Sequence, residues 1–144
     1  MEEEQYLKER LDDQIKWYSQ KSQWNQKRYK ILRMAEIIIS ALVPVLIPYS
    51  NTVPYIKTII ALSGSAVAIM IGAQGLYNFH ENWIEYRMVA ETLKHEKFLY
   101  ITKAGVYEAV DKPFNLLVAR VEGIISHENI NWSQLNKTTS KKVT

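Results

Sequence analysis

The sequence predicts an all-α membrane protein, a two-helix transmembrane hairpin with cytoplasmic helical extensions and a C-terminal helix. Two observations carry this prediction. Residues 37–56 form a run of 20 without a charged side chain, and residues 58–79 form a second run of 22. A helix of about 20 mostly apolar residues crosses the ~30 Å hydrocarbon core of a bilayer. Both ends of the chain are heavily charged, which is typical of segments that stay in water.

Two other interpretations of the apolar runs are weaker. The first is a soluble bundle with two central helices that are hydrophobic all round. A domain of 144 residues has little deep interior, however, and its buried helices normally keep some polar positions. The second is a secretory signal peptide. It fits poorly because a segment of 36 residues, rich in charged side chains, precedes the first run.

The first helix is predicted over residues 3–31, and it continues directly into a first membrane span over residues 34–49. It contains no Gly or Pro up to residue 31, and apolar residues recur at three- and four-residue spacing, at Leu7, Leu11, Ile15 and Tyr18. Arg33 and Glu36 would then lie at the lipid headgroups. Pro44 lacks a backbone donor, so it is expected to kink the span.

The second span is predicted over residues 58–79, with an extension over residues 80–102. Since no breaker separates them, they are expected to form one helix of about 45 residues, or roughly 68 Å at 1.5 Å per residue. The extension has an apolar seam that would pack on the N-terminal helix, made of Phe79, Trp83, Tyr86, Ala90, Leu93 and Tyr100. Pro113 opens a last helix, predicted over residues 113–128. Its apolar residues share one face: Phe114, Leu117, Val118, Val121, Ile124 and Ile125. Residues 1–135 are expected to form one domain, and residues 136–144 a disordered tail.

The loop charges predict the orientation. The 20 residues before the first run contain five Lys or Arg, the 20 residues after the second run contain three, and the connection between the runs contains only Lys57. This asymmetry places both termini of a multi-pass membrane protein in the cytoplasm. Tyr49 and Tyr55 would lie at the outer boundary, with Tyr77 and Trp83 near the inner one.

The sequence offers no chemistry for catalysis. The absence of Cys excludes disulfides and thiol-ligated metals. His80, His95 and His127 do not have the spacing of metal ligands, and no phosphate-loop or nucleophile motif is present. We therefore expect no enzyme, no metal and no cofactor. Basic and aromatic residues interleave over residues 21–30, but directly before a span this pattern favours a contact with anionic lipid, or a topology signal, over nucleic acid.

Two stripes distinguish the second span. Small residues follow a four- and three-residue spacing on one face, over an arc of roughly 80°: Ala61, Ser65, Ala68, Gly72 and Gly75. Such residues let membrane helices approach closely, so this face seats either the first span of the same chain or a second copy. The opposite side carries Ser63, Gln74 and Asn78, which are candidate pore-lining residues. The alternative is that Gln74 and Asn78 only approach the inner headgroups. Because one hairpin cannot cover both faces, we expect a homo-oligomer in the lipid membrane.

The segment after the second span is similar to the SLATT superfamily, a group of bacterial two-transmembrane-helix effector domains. The resemblance covers residues 5–130 and is most specific at Trp83, Tyr86, Arg87, Glu91, Leu93, Lys94 and Glu96. Arg87 and Glu91 stand four residues apart, as an ion pair on a helix would. A second interpretation is a switch that ties Arg87 to Glu9, Asp12 or Asp13.

The resemblance implies a pore-forming or membrane-perturbing effector of a nucleotide-signalled antiviral defence system. The sensor would then be a separate nucleotide-sensing protein. The alternative is a membrane-anchored adaptor that recruits a soluble partner through its cytoplasmic helices.

Overall fold

A computed structural model describes the backbone of residues 2–141 and the side chains of residues 2–127. Within that part of the chain every regular element is helical, and there is no strand. The N-terminal stretch consists of α1 (Glu3–Gln5), a π-helical segment (Tyr6–Asp12) and the long helix α2 (Asp13–Leu46), which a 3-10 turn follows at Ile47–Tyr49. The predicted continuity from the N-terminal helix into the first apolar run is confirmed. Pro44 lies inside α2, and its kink stays a prediction.

The second half contains α3 (Ile56–Tyr77), α4 (Phe79–Ile101), a 3-10 turn (Gly105–Tyr107) and α5 (Pro113–Lys141). The prediction of one uninterrupted helix through the second run and its extension is wrong. Asn78 separates α3 from α4, because its backbone is left-handed at φ 47° and ψ 42°. Asn tolerates this conformation better than most residues and often ends helices. The Asn82 side chain also donates to the Tyr77 carbonyl at 3.0 Å, which satisfies one of the open carbonyls at the end of α3.

The last helix is longer than predicted. It begins at Pro113 as expected but runs to Lys141, past the predicted end at residue 128 and into the predicted disordered tail over 136–144. After Gly123 the sequence holds no Gly or Pro that would end a helix, which is the physical reason for the difference. Residues 142–144 of that tail lie outside the described residues.

The chain divides into two compact units, and the single domain over residues 1–135 stays a prediction. The core unit combines the residues up to Lys21 with those from Glu85 onward. Its interior is formed by three helical segments, from the N-terminal stretch, α4 and α5. The buried residues are Tyr6, Leu11, Tyr18, Val89, Ala90, Leu93, Tyr100, Tyr107, Leu117, Val121 and Ile125. The apolar seam of the extension therefore packs on the N-terminal helix as predicted.

The apolar unit comprises Ser22–Ile84. It contains most of α2, all of α3 and the first residues of α4. α2 and α3 are both long and apolar enough to cross a membrane. α2 also contacts the first residues of α4, where the Trp24 and Phe79 rings lie 6.0 Å apart and the Tyr29 and His80 rings 4.9 Å apart.

Candidate functional site

The candidate site is a polar cluster in the apolar unit, built around Glu36 of α2. The Glu36 residue is only 4% exposed although its neighbours in sequence are apolar. Its carboxylate accepts hydrogen bonds from Arg33, at 2.9 Å, and from the side-chain amide of Gln74 in α3. A buried carboxylate is costly unless it is paired and hydrogen-bonded. The cluster therefore links the two apolar helices through buried polar groups.

Aromatic and polar residues surround this cluster. His80 packs edge-on between two rings, with the Tyr29 ring at 4.9 Å and the Trp83 ring at 5.7 Å. A cavity of about 370 Å³ opens beside them, and its walls are Tyr29, Arg33, Gln74, Gly75, Asn78, His80 and Glu81. The Ser22 hydroxyl donates to the Trp83 carbonyl at 3.2 Å, which ties α2 to the first turn of α4.

The predicted pore-lining residues lie in different surroundings. Gln74 is half-buried against Glu36. Ser63 is also half-buried, and its hydroxyl donates to the Ile59 carbonyl of its own helix at 2.8 Å. Asn78 is exposed and forms the helix break. The structure therefore brings Gln74 into the polar cluster and places Asn78 on the wall of the adjoining cavity, while Ser63 lies elsewhere on α3.

The small-residue stripe of α3 faces away from the chain. All of its members are exposed: Ala61, Ser65, Ala68, Gly72 and Gly75. A methyl group added at Gly72 or Gly75 would meet no other atom within 4 Å. The inward positions of α3 are instead the half-buried Ile60, Ser63, Val67, Met70 and Gln74. The exposed stripe therefore does not pack against the first span of the same chain, which was one of its two predicted roles.

The α4 residues at which the family resemblance is most specific are divided between the two units. Trp83 belongs to the apolar unit, where its ring lies against His80. Tyr86 belongs to the core unit, with its ring 5.9 Å from Trp17 and 6.1 Å from Tyr18. Arg87 and Glu91 are both exposed.

The ion pairs differ from those that the sequence suggested. Glu91 pairs with Lys94 at 2.9 Å, where a partner in Arg87 was expected. Its pKa is lowered, first by the hydrogen bond from Lys94 and only weakly by the charge of Arg87. The cation that reaches Asp12 on the N-terminal stretch is Lys97, at 2.5 Å, where the switch hypothesis had assigned Arg87.

Two buried or half-buried carboxylates, Glu96 and Glu122, organise the core unit. The sequence analysis named Glu96 only as part of the family resemblance, without a partner, and it did not name Glu122. Glu96 is 3% exposed and accepts two hydrogen bonds from Arg120, at 2.5 and 2.8 Å, and one from the Tyr107 hydroxyl at 2.7 Å. Glu122 accepts two from Arg10, at 2.9 and 3.0 Å, and one from the Tyr6 hydroxyl at 3.1 Å.

These contacts shift the pKa values of the residues involved. The hydrogen bond from Arg120 holds the pKa of Glu96 below its ordinary value, and the hydrogen bond from Arg10 does the same for Glu122. Burial, with the adjacent carboxylate of Glu122, raises the pKa of Tyr6 to about 12. Both glutamates are therefore ionised acceptors at neutral pH, and the tyrosines are donors.

Within residues 2–127, whose side chains the structure describes, there is no group of three or more His, Asp or Glu side chains placed to hold a metal ion. In the same part of the chain, buried side-chain polar atoms all have hydrogen-bond partners. The buried polar groups of this part of the chain therefore hold the helices together.

The fold and the site define a class of protein: an all-helical chain with two helices that are long and apolar enough to cross a membrane, joined by a buried polar cluster. Residues 13–115 match a protein family of unknown function, DUF4231. The match covers more than half of the chain, and the chain belongs to this family. Searches of curated proteins and of solved structures give no match.

Proposed function

We propose that this protein is a homo-oligomeric effector of the bacterial inner membrane, in which α2 and α3 form a transmembrane hairpin and both termini are cytoplasmic. Its action would be to form a pore or otherwise perturb the membrane. One observation carries the proposal. In the most apolar 18-residue stretches of the two helices, only 6% and 0% of the residues are buried within the chain.

That exposure argues against a soluble bundle. The apolar core helices of a soluble protein are mostly buried, since apolar surface in water costs about 25 cal/mol per Å². Here the exposed side chains include Ile38, Leu42, Leu62, Ile69 and Leu76, which are between 52% and 74% exposed. Lipid tails, or further copies of the chain within the membrane, would cover this surface.

The exposed small-residue stripe favours self-association. It lies on the side of α3 opposite to Ser63, Met70 and Gln74, the side that the chain itself covers. Membrane helices associate through such faces because small side chains let the backbones approach closely. Gly72 and Gly75 have open space around them, so a second helix would fit there without displacing any side chain of the same chain.

The polar cluster gives the proposed pore a closed state. Gln74 is held by Glu36 inside one chain, so it lines a water path only after that contact opens. We propose that rearrangement of the helices in the oligomer releases Gln74, together with Ser63, toward a common path. The trigger would come from a separate nucleotide-sensing protein. That part of the proposal rests on the resemblance to the SLATT superfamily. The matched family, DUF4231, has no assigned function and does not identify the sensor.

Leakage of a dye from liposomes that contain the purified protein tests this function. Gly72→Leu should prevent both assembly and leakage, because the added side chain blocks the stripe, while a Cβ at this position meets no other atom of the chain within 4 Å. Ile71→Phe adds bulk at a position that is 55% exposed and outside the stripe, so it is the matched control and should leak like the native protein. Liposomes that stay sealed with the native protein, with and without cyclic nucleotides and extracts of infected cells, would contradict the proposal.

A second candidate function is a membrane-anchored adaptor, and one observation in the core unit favours it. A groove of about 540 Å³ runs between α4 and α5, and its walls include Met88, Val89, Gly123, Ile124 and His127. Met88 is 64% exposed, and a groove of this kind suits the apolar face of a partner helix. Gln74→Leu separates the two candidates, since it should alter leakage by a pore but leave recruitment by an adaptor unchanged.

A further inference from the structure

A second cavity of the apolar unit has the properties of a ligand site. It is a groove of about 380 Å³ in which α2 provides most of the walls and Phe79 closes one side, and its lining residues are Trp24, Lys27, Arg28, Ile31, Leu32 and Phe79. The groove lies on the last turns of α2 before its apolar run begins at residue 37. It is separate from the polar cluster around Glu36, with which it shares no lining residue.

One end of the groove is strongly cationic. Residues 22–35 contain Lys27, Arg28, Lys30 and Arg33 and no Asp or Glu. Arg33 is engaged by Glu36. Lys27 and Arg28 form no ion pair with any carboxylate in the described part of the chain. The Arg28 guanidinium lies 5.0 Å from the centre of the Trp24 ring, which orients its plane but leaves its N–H donors for an anion.

The other end of the groove is apolar and open. Ile31 lies on the side of Arg28 nearer to the apolar run and is 56% exposed. Trp24, beside Arg28, is 52% exposed, and the buried Phe79 ring lies 6.0 Å from the Trp24 ring. The exposed apolar surface continues along α2 through Met34, Ile37 and Ile38. A ligand that fits both ends has an anionic head and a long apolar tail. Trp is also the residue typical of the membrane–water interface.

We propose that this groove binds one anionic phospholipid of the inner leaflet. Its phosphate would lie between Lys27 and Arg28, and an acyl chain would follow Ile31 and Leu32 toward the apolar run. This inference rests on the proposed membrane location. A nucleic acid would leave the apolar end of the groove unused, so the lipid is the better fit to the surface as a whole.

The test is native mass spectrometry of the full chain, extracted from nanodiscs of equal parts phosphatidylglycerol and phosphatidylcholine. The native protein should retain phosphatidylglycerol in preference to phosphatidylcholine. Arg28→Gln and Lys27→Gln should each lower that retention about fivefold, the effect expected for one cation near an anionic membrane surface. Lys30→Gln removes the same charge from the same turn but not from the groove, so it should change the retention little.

Three results would overturn the site: equal retention of the two lipids, equal loss in all three variants, or loss of single-stranded RNA binding in the groove variants with lipid retention intact. The membrane location is measured separately, by resistance of each variant to alkaline extraction. If every variant stays in the membrane but lipid retention does not discriminate, the groove fails and the proposed function stands. If the native protein itself is extracted, the proposed function fails.

Discussion

The Glu96 carboxylate receives three hydrogen bonds in the interior of the core unit, two from Arg120 and one from Tyr107. Glu96→Gln should therefore destabilise this unit by about 1–3 kcal/mol, because it removes charge-assisted hydrogen bonds and leaves Arg120 without its anion. Thermal unfolding in detergent, followed by circular dichroism, measures the change. Glu91→Gln is the control, since it removes the same charge from an exposed ion pair with Lys94 and should leave the melting temperature unchanged. Equal effects of the two substitutions would contradict the assignment.

The same carboxylates predict how stability depends on pH. The pKa values of Glu96 and Glu122 are lowered in the folded protein, chiefly by hydrogen bonds from Arg120 and Arg10. Their stabilisation is therefore fully present above the ordinary carboxyl pKa of 4.5, and it is lost as the pH falls through the lowered values.

The melting temperature of the native protein should fall when the pH is lowered from 6 to 3.5. A Glu96→Gln, Glu122→Gln double variant should show a shallower fall, because it has no such carboxylates to protonate. A double variant with the same pH profile as the native protein would show that other groups control acid unfolding.

Asn78 divides α3 from α4 by a single residue with positive φ. Asn78→Ala should cost about 1–2 kcal/mol, the penalty for a left-handed conformation in a residue with a Cβ and no compensating polar side chain. Asn78→Gly should keep the stability close to native, since glycine adopts this conformation freely. Thermal unfolding in detergent compares the two variants. If alanine is tolerated as well as glycine, the two helices merge without cost and the break is not a fixed feature.

Periodicity in the sequence predicted which elements form and where most of them begin. It also predicted the apolar face of α5, where Leu117, Val121 and Ile125 are buried. It could not predict the break at Asn78, because an Asn inside an apolar helical pattern is compatible with either a continuous helix or a left-handed end. The end of α5 was equally uncertain, since a polar sequence without Gly or Pro permits both a helix and a disordered tail.

The candidate site was harder to predict for a related reason. The sequence identified both stripes of α3 but not which of them faces α2, since that depends on the buried position of Glu36 on the other helix. The partners of Glu96 and Glu122 are Arg120 and Arg10, and Arg10 and Glu122 are 112 positions apart in the chain. Local spacing carries no information on pairs of this kind. It suggested instead an ion pair between the neighbouring Arg87 and Glu91, whereas Glu91 pairs with Lys94 in the structure.

At the scale of the whole molecule, the two units use polar residues differently. In the core unit, ion pairs surround an interior of aliphatic and aromatic side chains, as in a water-soluble helical domain. In the apolar unit, one buried polar cluster is combined with long exposed apolar helices, as expected where lipid replaces water as the solvent. Under the proposed membrane location, the core unit would lie in water and the two apolar helices in lipid.

The proposed orientation of the whole chain can be tested by labelling, because the native sequence contains no Cys. Asn51→Cys lies between the two apolar helices. Gln20→Cys and Ser126→Cys lie at exposed positions of the core unit. Eight basic residues flank the apolar runs on the side of the termini against one in the connection, and this asymmetry should keep both termini in the cytoplasm. In intact spheroplasts, a membrane-impermeant maleimide should therefore label Asn51→Cys alone, and after lysis it should label all three variants. The Cys-free native chain gives the background.

Labelling of both Gln20→Cys and Ser126→Cys before lysis would show that the orientation is the reverse of the proposed one. Labelling of only one of these two would show that the helices do not form a hairpin.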